Sequence, residues 1–262
     1  MKLTGRTALI TGASSGLGAA FAEELARRQA NLVLVARSEQ VLTATAGRLR
    51  DDYGIRADVI AGDLAVEGAA TAVAQRIGEL GRRVDLLINN AGFATQGRFE
   101  TIPADRDHQQ VMLNVTAAVD LTHALLPAML AEGTGGIINV ASLGGFQPAP
   151  YLAVYAATKA FMISFSQALS AELHGRGIAV LTLCPGPVDT RFFEVLGSRA
   201  AAIGQQLDPA TIITATLDAL ITGDTILVPG WRNRLTARAA TLLPRRLVLA
   251  TAERATRRVV AP

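Results

Sequence analysis

Short, unbroken apolar runs alternate with stretches of helical periodicity along most of this chain. Thr7–Thr11 (TALIT), Asn31–Ala36 (NLVLVA), Ala57–Ala61, Val84–Asn89 (VDLLIN), Gly136–Ala141 (GIINVA), Ile178–Cys184 and Thr225–Val228 read as strands. Between them Leu17–Gln29, Glu39–Asp52, Glu67–Leu80, the region around Asp105–Leu130, and Ala153–His174 read as helices. In the first of these, Leu17, Phe21 and Leu25 recur every four residues and share one helix face. A sheet with one wet face would show strands that alternate apolar and polar residues. These strands do not, so both faces of the sheet must be covered. Strand–helix alternation with short connections further implies right-handed crossovers and a parallel sheet. The expected α/β architecture is one domain over residues 1–230, followed by an arginine-rich helical extension over residues 231–262.

Composition narrows this little. Of 262 residues, 50% are hydrophobic and 18% charged, which excludes a disordered chain and suits one large core. The single cysteine, Cys184, has no internal partner and reads as a small buried hydrophobe, in keeping with a reducing cytoplasm. No signal-peptide pattern opens the chain, and no uncharged apolar window is long enough to make a membrane-spanning helix the expectation. The net charge of +3 conceals an asymmetry. Eight of the 25 basic residues but one of the 22 acids lie from Trp231 onward, leaving 17 bases against 21 acids before it. The basic character belongs to the tail, so a nucleic-acid-binding body is not expected. His108, His123 and His174 are scattered without ligand spacing, and no metal site is expected.

Two local patterns carry chemistry. Thr11-Gly12-Ala13-Ser14-Ser15-Gly16-Leu17-Gly18 joins the first strand to the first helix. Glycines there permit a tight turn and close approach to a pyrophosphate, whose charge the helix amides favour. Tyr155 and Lys159 stand four residues apart on a helix, thirteen residues after Ser142, so phenol and ammonium share a face. A neighbouring ammonium favours phenolate and is expected to lower the phenol pKa, suiting Tyr155 to proton transfer with a substrate oxygen. After the second strand the chain reads Ala36-Arg37-Ser38, with no acid to bond a ribose 2′-hydroxyl. Arg37 can pair with a 2′-phosphate, and Ser38 or Ser14 can add hydroxyls, so NADP(H) is favoured over NAD(H).

Together these residues resemble the short-chain dehydrogenase/reductase family over roughly residues 5–230. The resemblance implies a single Rossmann-like, doubly wound domain of about seven parallel strands, and a homodimer or homotetramer. It assigns Thr11–Gly18 to the cofactor turn, with Gly12, Ser14, Ser15, Gly16, Leu17 and Gly18 as contacts. It places Asp63 and Leu64 at the adenine, and Asn90, Ala91 and Gly92 beside the cofactor at the end of the fourth strand. Pro185, Gly186, Val188 and Thr190 would pass the nicotinamide. Asn114, Ser142, Tyr155 and Lys159 match the catalytic tetrad, with Tyr155 and Lys159 also touching the cofactor. Asn114 would hold a helix distortion or an ordered water linking Lys159 to solvent. The subgroup most resembled is that of bacterial ketoreductases, similar to 3-oxoacyl and hydroxysteroid reductases.

The implied reaction is NADP(H)-dependent interconversion of a ketone and a secondary alcohol. The alternative is a regulator or redox sensor that binds the cofactor without turnover. Loops over the site, Phe93–Phe99, Gly144–Leu152 and Arg191–Leu207, would line the substrate pocket. Ser142, Gly144, Phe146, Gln147, Tyr151, Phe192, Phe193 and Leu196 are the candidate contacts and suit a medium or large hydrophobic small molecule. In the tail, helices broken near Pro244 carry Leu242, Leu243, Leu247, Val248 and Leu249 among the arginines. That segment would either lie peripherally on an anionic membrane or pack its leucines on a neighbouring subunit.

Overall fold

The computed structural model describes residues 2–188 and 205–257. Each apolar run expected to be a strand is one: β1 (Thr7–Thr11), β2 (Asn31–Ala36), β3 (Ala57–Ala61), β4 (Leu86–Asn89), β5 (Gly135–Val140), β6 (Ile178–Leu183) and β7 (Ile226–Leu227). They form one parallel sheet in the order β3-β2-β1-β4-β5-β6-β7. The helices are α1 (Gly16–Arg27), α2 (Glu39–Tyr53), α3 (Ala69–Glu79), α4 (Ala104–Val111), α5 (Ala117–Ala131), α6 (Ala153–Glu172), α7 (Pro209–Thr222), α8 (Trp231–Leu242) and α9 (Arg245–Arg257).

Unbroken apolar strands are needed because alternate side chains enter different layers. Ile10, Leu34, Ile88 and Leu181 meet Phe21 and Leu25 of α1, Leu42 of α2 and Ile213 of α7. Leu9, Val33, Leu87 and Val180 meet Val73 of α3, Leu121 of α5 and Leu169 of α6. Truncating a fully enclosed member such as Leu34 to alanine costs about 2–5 kcal/mol in transfer and cavity terms.

One element lies outside those the pattern predicts: Pro209–Thr222 is a well-delimited helix. Asp208 caps it by accepting from the Thr211 amide at 3.0 Å, Pro209 opens it, and Gly223 ends it at φ +88°. The rod from Ala104 to Ala131 changes character at Met112–Thr116, a π-helical turn containing Asn114, the helix distortion that the family resemblance implies at this residue. By length and composition this rod could cross a membrane. Leu121, Leu125 and Met129 instead pack it into the core, as a helix of the body.

Strands β1 to β3 build outward on one side and β4 to β7 on the other. A crevice therefore opens between the carboxyl ends of β1 and β4, where such sheets bind ligands.

Candidate active site

The glycine turn fills that crevice. Gly12 takes φ +66°, and a Cβ on Gly18 would lie 2.1 Å from the Gly12 carbonyl oxygen, so the turn and the first helical turn touch backbone to backbone. Ser15 begins α1 without a capping bond from its side chain, leaving the helix amides facing the cleft. Thr11 fastens the turn to the end of β4. Its Oγ1 accepts from the Asn90 and Ala91 amides at 2.9 Å each, and the Asn90 side-chain amide donates to the Thr11 carbonyl at 2.8 Å. Asn90 thus shapes the turn directly.

A cleft of about 580 Å³ runs from this turn across the sheet edge. Gly12, Ser14, Ser15, Gly16 and Leu17 line its start, while Gly18 lies beneath them. Arg37, Ser38, Asp63 and Leu64 form one end. Arg37 is exposed and lies just before α2, whose Ser38 N-cap accepts from the Val41 amide at 3.4 Å. Asp63 accepts from the Ala65 amide at 2.9 Å. Asn90, Ala91 and Gly92 line one side, and Pro185, Gly186 and Val188 the other.

Ser142, Tyr155 and Lys159 line the same cleft. Ser142 stands just beyond β5, its Oγ accepting from the Gly144 amide at 3.1 Å and hydrogen-bonded to Tyr155. Lys159 is 6% exposed, and its Nζ donates to the Val140 carbonyl at 2.8 Å and lies 5.8 Å from the Tyr155 ring centre. Burial holds Lys159 down at about 8, against a pull upward from Cys184. The Cys184 thiol is pushed up to about 12 by its own burial, partly offset by Lys159.

The expected lowering of the Tyr155 pKa is corrected here. Its surroundings raise it, because desolvation of the phenolate outweighs the bond to Ser142, and Lys159 directs its ammonium to a carbonyl.

Asn114 sits behind the cleft wall, in the π-turn. Its Oδ1 accepts from the Phe93 amide at 3.1 Å, and its Nδ2 donates to the Phe93 carbonyl at 3.0 Å and to Thr158 Oγ1 at 3.1 Å. It ties the loop after β4 to the helix carrying Tyr155 and Lys159.

Of the substrate candidates, Ser142, Gly144 and Gln147 line the cleft. Phe146 does not, because it packs inward on Met162, Ile163 and Cys184. Tyr151, held at φ +66°, lines a separate hollow with Phe99, Ile102 and Val154. Thr190, Phe192, Phe193 and Leu196 lie outside the described residues.

The profile of the short chain dehydrogenase family matches residues 6–200. The chain belongs to that family of oxidoreductases. It is 38% identical over 186 residues to the ketoacyl reductase HetN of Nostoc sp., covering 71% of this chain and 64% of that one, so the match spans less than two thirds of that relative's length. A short-chain dehydrogenase from Sphingobium yanoikuyae, solved in complex with NADPH, is 37% identical, with a TM-score of 0.81 over 86% of this chain and 88% of its own. The bulky-bulky ketone specific alcohol dehydrogenase from Comamonas testosteroni is 33% identical, with a TM-score of 0.76 over 92% and 95% of the two chains.

This short-chain dehydrogenase has cleft-lining residues beyond those the sequence patterns single out. Thr236, Ala252 and Thr256, from α8 and α9, line the cleft. Asn233 anchors them: fully buried, it accepts from the Gln205 amide at 2.7 Å and donates to the carbonyls of Gln205 (3.1 Å) and Pro229 (2.8 Å). A Cβ on Gly186 would sit 2.5 Å from its Nδ2, so only glycine lets the β6 exit meet α8 this closely. The signal was present as small residues spaced by four, Asn233 with Ala237 and Val248 with Ala252 and Thr256, all buried.

Proposed function

We propose that this protein is an NADP(H)-dependent reductase of ketones, or dehydrogenase of the matching secondary alcohols, acting on medium or large hydrophobic small molecules. One observation carries the reading. Ser142, Tyr155 and Lys159 meet in a cleft whose far end holds uncapped helix amides and Arg37.

The residues present fit a dinucleotide. The turn at Gly12 and Gly18 leaves no room for side chains where a pyrophosphate would approach, and the α1 amides supply its donors. Arg37 at this end of the cleft, with no acid directly after β2 to bond a ribose 2′-hydroxyl, supports a 2′-phosphate and hence NADP(H) over NAD(H). When bound, the nicotinamide supplies the hydride. Tyr155 donates its hydroxyl proton to the carbonyl oxygen, and its raised pKa keeps that proton in place at neutral pH. Ser142 steadies the same oxygen by hydrogen bonding. Lys159, still mostly an ammonium at pH 7, compensates the negative charge as Tyr155 gives up its proton. Asn114 holds the floor on which Lys159 and Tyr155 stand.

Leu143, Ala149, Leu152 and Ala252 make the substrate end apolar, with Gln147, Thr236 and Thr256 as polar contacts. Likeness to the Comamonas alcohol dehydrogenase, specific for bulky-bulky ketones, supports this class. Phe161, 42% exposed and stacked on Phe165 at 5.8 Å, suits a subunit contact of a homodimer or homotetramer in the cytoplasm. Measuring NADPH oxidation over acyl-thioester, steroid and aryl ketones tests the reading. Turnover with one class is expected, and Tyr155→Phe should lower it by about 10²–10⁴-fold while NADPH still binds. Unchanged turnover in that variant would remove Tyr155 as the acid, and NADPH binding without turnover on any ketone would favour a regulator.

A further inference from the structure

The helices that wall the cleft turn the wrong side outward for a protein bathed only in water. On α8, Trp231, Leu235 and Leu242 form one stripe and are 57%, 56% and 82% exposed. Leu243 and Leu247, across the break at Pro244, are 50% and 57% exposed. The opposite faces, Asn233 with Ala237 and Val248 with Ala252 and Thr256, are the buried ones. Large apolar side chains therefore stay outside while small ones pack inside, the reverse of a helix laid on a core. This corrects the expectation that Leu242, Leu243, Leu247 and Leu249 form one apolar side with Val248, since Val248 alone of these five is buried.

The charge around this patch is one-sided. Eight arginines and one acid lie from residue 231 onward. Arg257 pairs with Glu253 at 2.6 Å, and among the described residues Arg232, Arg234, Arg238, Arg245, Arg246 and Arg254 form no ion pair. The Arg232 guanidinium lies over the Trp231 ring at 5.2 Å, an amphipathic pair of the kind that sits at a lipid headgroup boundary.

We propose that the outward face of α8 and α9 docks on an anionic lipid bilayer. The leucines and Trp231 enter the acyl boundary while the arginines meet lipid phosphates. Charge decides against a second copy as the occupant, because a two-fold contact would set this arginine field against itself. The apolar stripe decides against nucleic acid, whose backbone offers it no partner. The same helices contribute Thr236, Ala252 and Thr256 to the cleft, so docking would bring the substrate end close to dissolved hydrophobic ketones. The docking itself does not rest on the reductase reading, and its test needs no turnover.

Trp231 is the only tryptophan, so its emission reports the patch directly. Full-length protein is titrated with phosphatidylcholine vesicles, with and without phosphatidylglycerol, while emission and co-sedimentation are followed. A blue shift and pelleting with the anionic vesicles are expected, both reduced about tenfold or more in apparent affinity by Leu235→Ser/Leu242→Ser/Leu247→Ser and by Arg238→Gln/Arg245→Gln/Arg246→Gln. These positions are exposed, so melting temperature and NADPH binding should match the parent protein. Unshifted emission, equal binding to neutral vesicles, or equal pelleting of parent and leucine variant overturns the proposal. So does dissociation of an oligomer by the leucine changes in sedimentation velocity, which would assign the face to a second copy.

Discussion

The two ends of the cleft are built by different means. The cofactor end is backbone: a turn pressed against the first turn of α1, tied by Thr11 and Asn90, with few side chains that could vary without breaking it. The substrate end is assembled from parts far apart in the chain. Gln147 and Leu152 come from the loop after β5, and Thr236, Ala252 and Thr256 from the two last helices. On the function proposed above, the first end leaves little room for change around one cofactor, whereas the second could change its ligand by changing side chains. A family that holds one cofactor and varies its substrate needs that division of labour.

If the division is real, the heaviest blow comes from one added side chain at the backbone end. Gly18→Val puts a Cβ into the Gly12 carbonyl, which has nowhere to go without opening the turn. NADPH affinity should fall by about 100-fold or more, roughly 3 kcal/mol, in calorimetric titration. An unchanged Kd would mean the contact is not needed to shape the site. Next comes a crossed pair. Arg37→Asp should weaken NADPH about 10–100-fold while sparing NADH and the ketone KM, since a charged bond to phosphate is lost. Ala149→Trp, at a half-buried position lining the substrate end, should do the reverse, raising KM for bulky ketones about tenfold over small ones with NADPH binding intact. Variants that shift both ligands together would show that the ends are coupled and the division false.

That division also explains what was legible beforehand. The individual strands, the glycine turn and the Tyr155–Lys159 pair are local patterns, each written within a dozen residues, and they fall on the elements expected of them. The order of the strands and the covering of the cleft are not local. Phe146 and Tyr151 belong to the loop expected to line the pocket, but one packs into the core and the other lines a neighbouring hollow, which position in the loop does not determine. Asn233 stands between two arginines in the chain, and its role depends on Gln205 and Pro229, which it meets only after folding. The helix at Pro209–Thr222 is different: its cap, its opening proline and its closing glycine are all local signals present in the sequence. The Tyr155 pKa was misjudged because spacing shows that two groups are near, not where the ammonium points.

The smallest effect probes that last correction. Lys159 is charged in the unfolded chain up to its ordinary 10.5 and in the folded one up to about 8. Below about 8 both states hold the proton, and the folded state carries the full cost of a buried ammonium. Between about 8 and 10.5 the folded protein releases the proton while the unfolded chain keeps it, so stability rises with pH across that window. Lys159→Met removes the cost and should raise Tm at pH 7 by about 2–8 °C, allowing roughly 1–2 kcal/mol after loss of the Val140 bond. The advantage should shrink steadily from pH 8 to 10 in thermal melts, although reductase activity is lost at every pH. A gain that stays level across that range would mean that the burial of this ammonium is not what sets its pKa, and that Lys159 leans on Tyr155 after all.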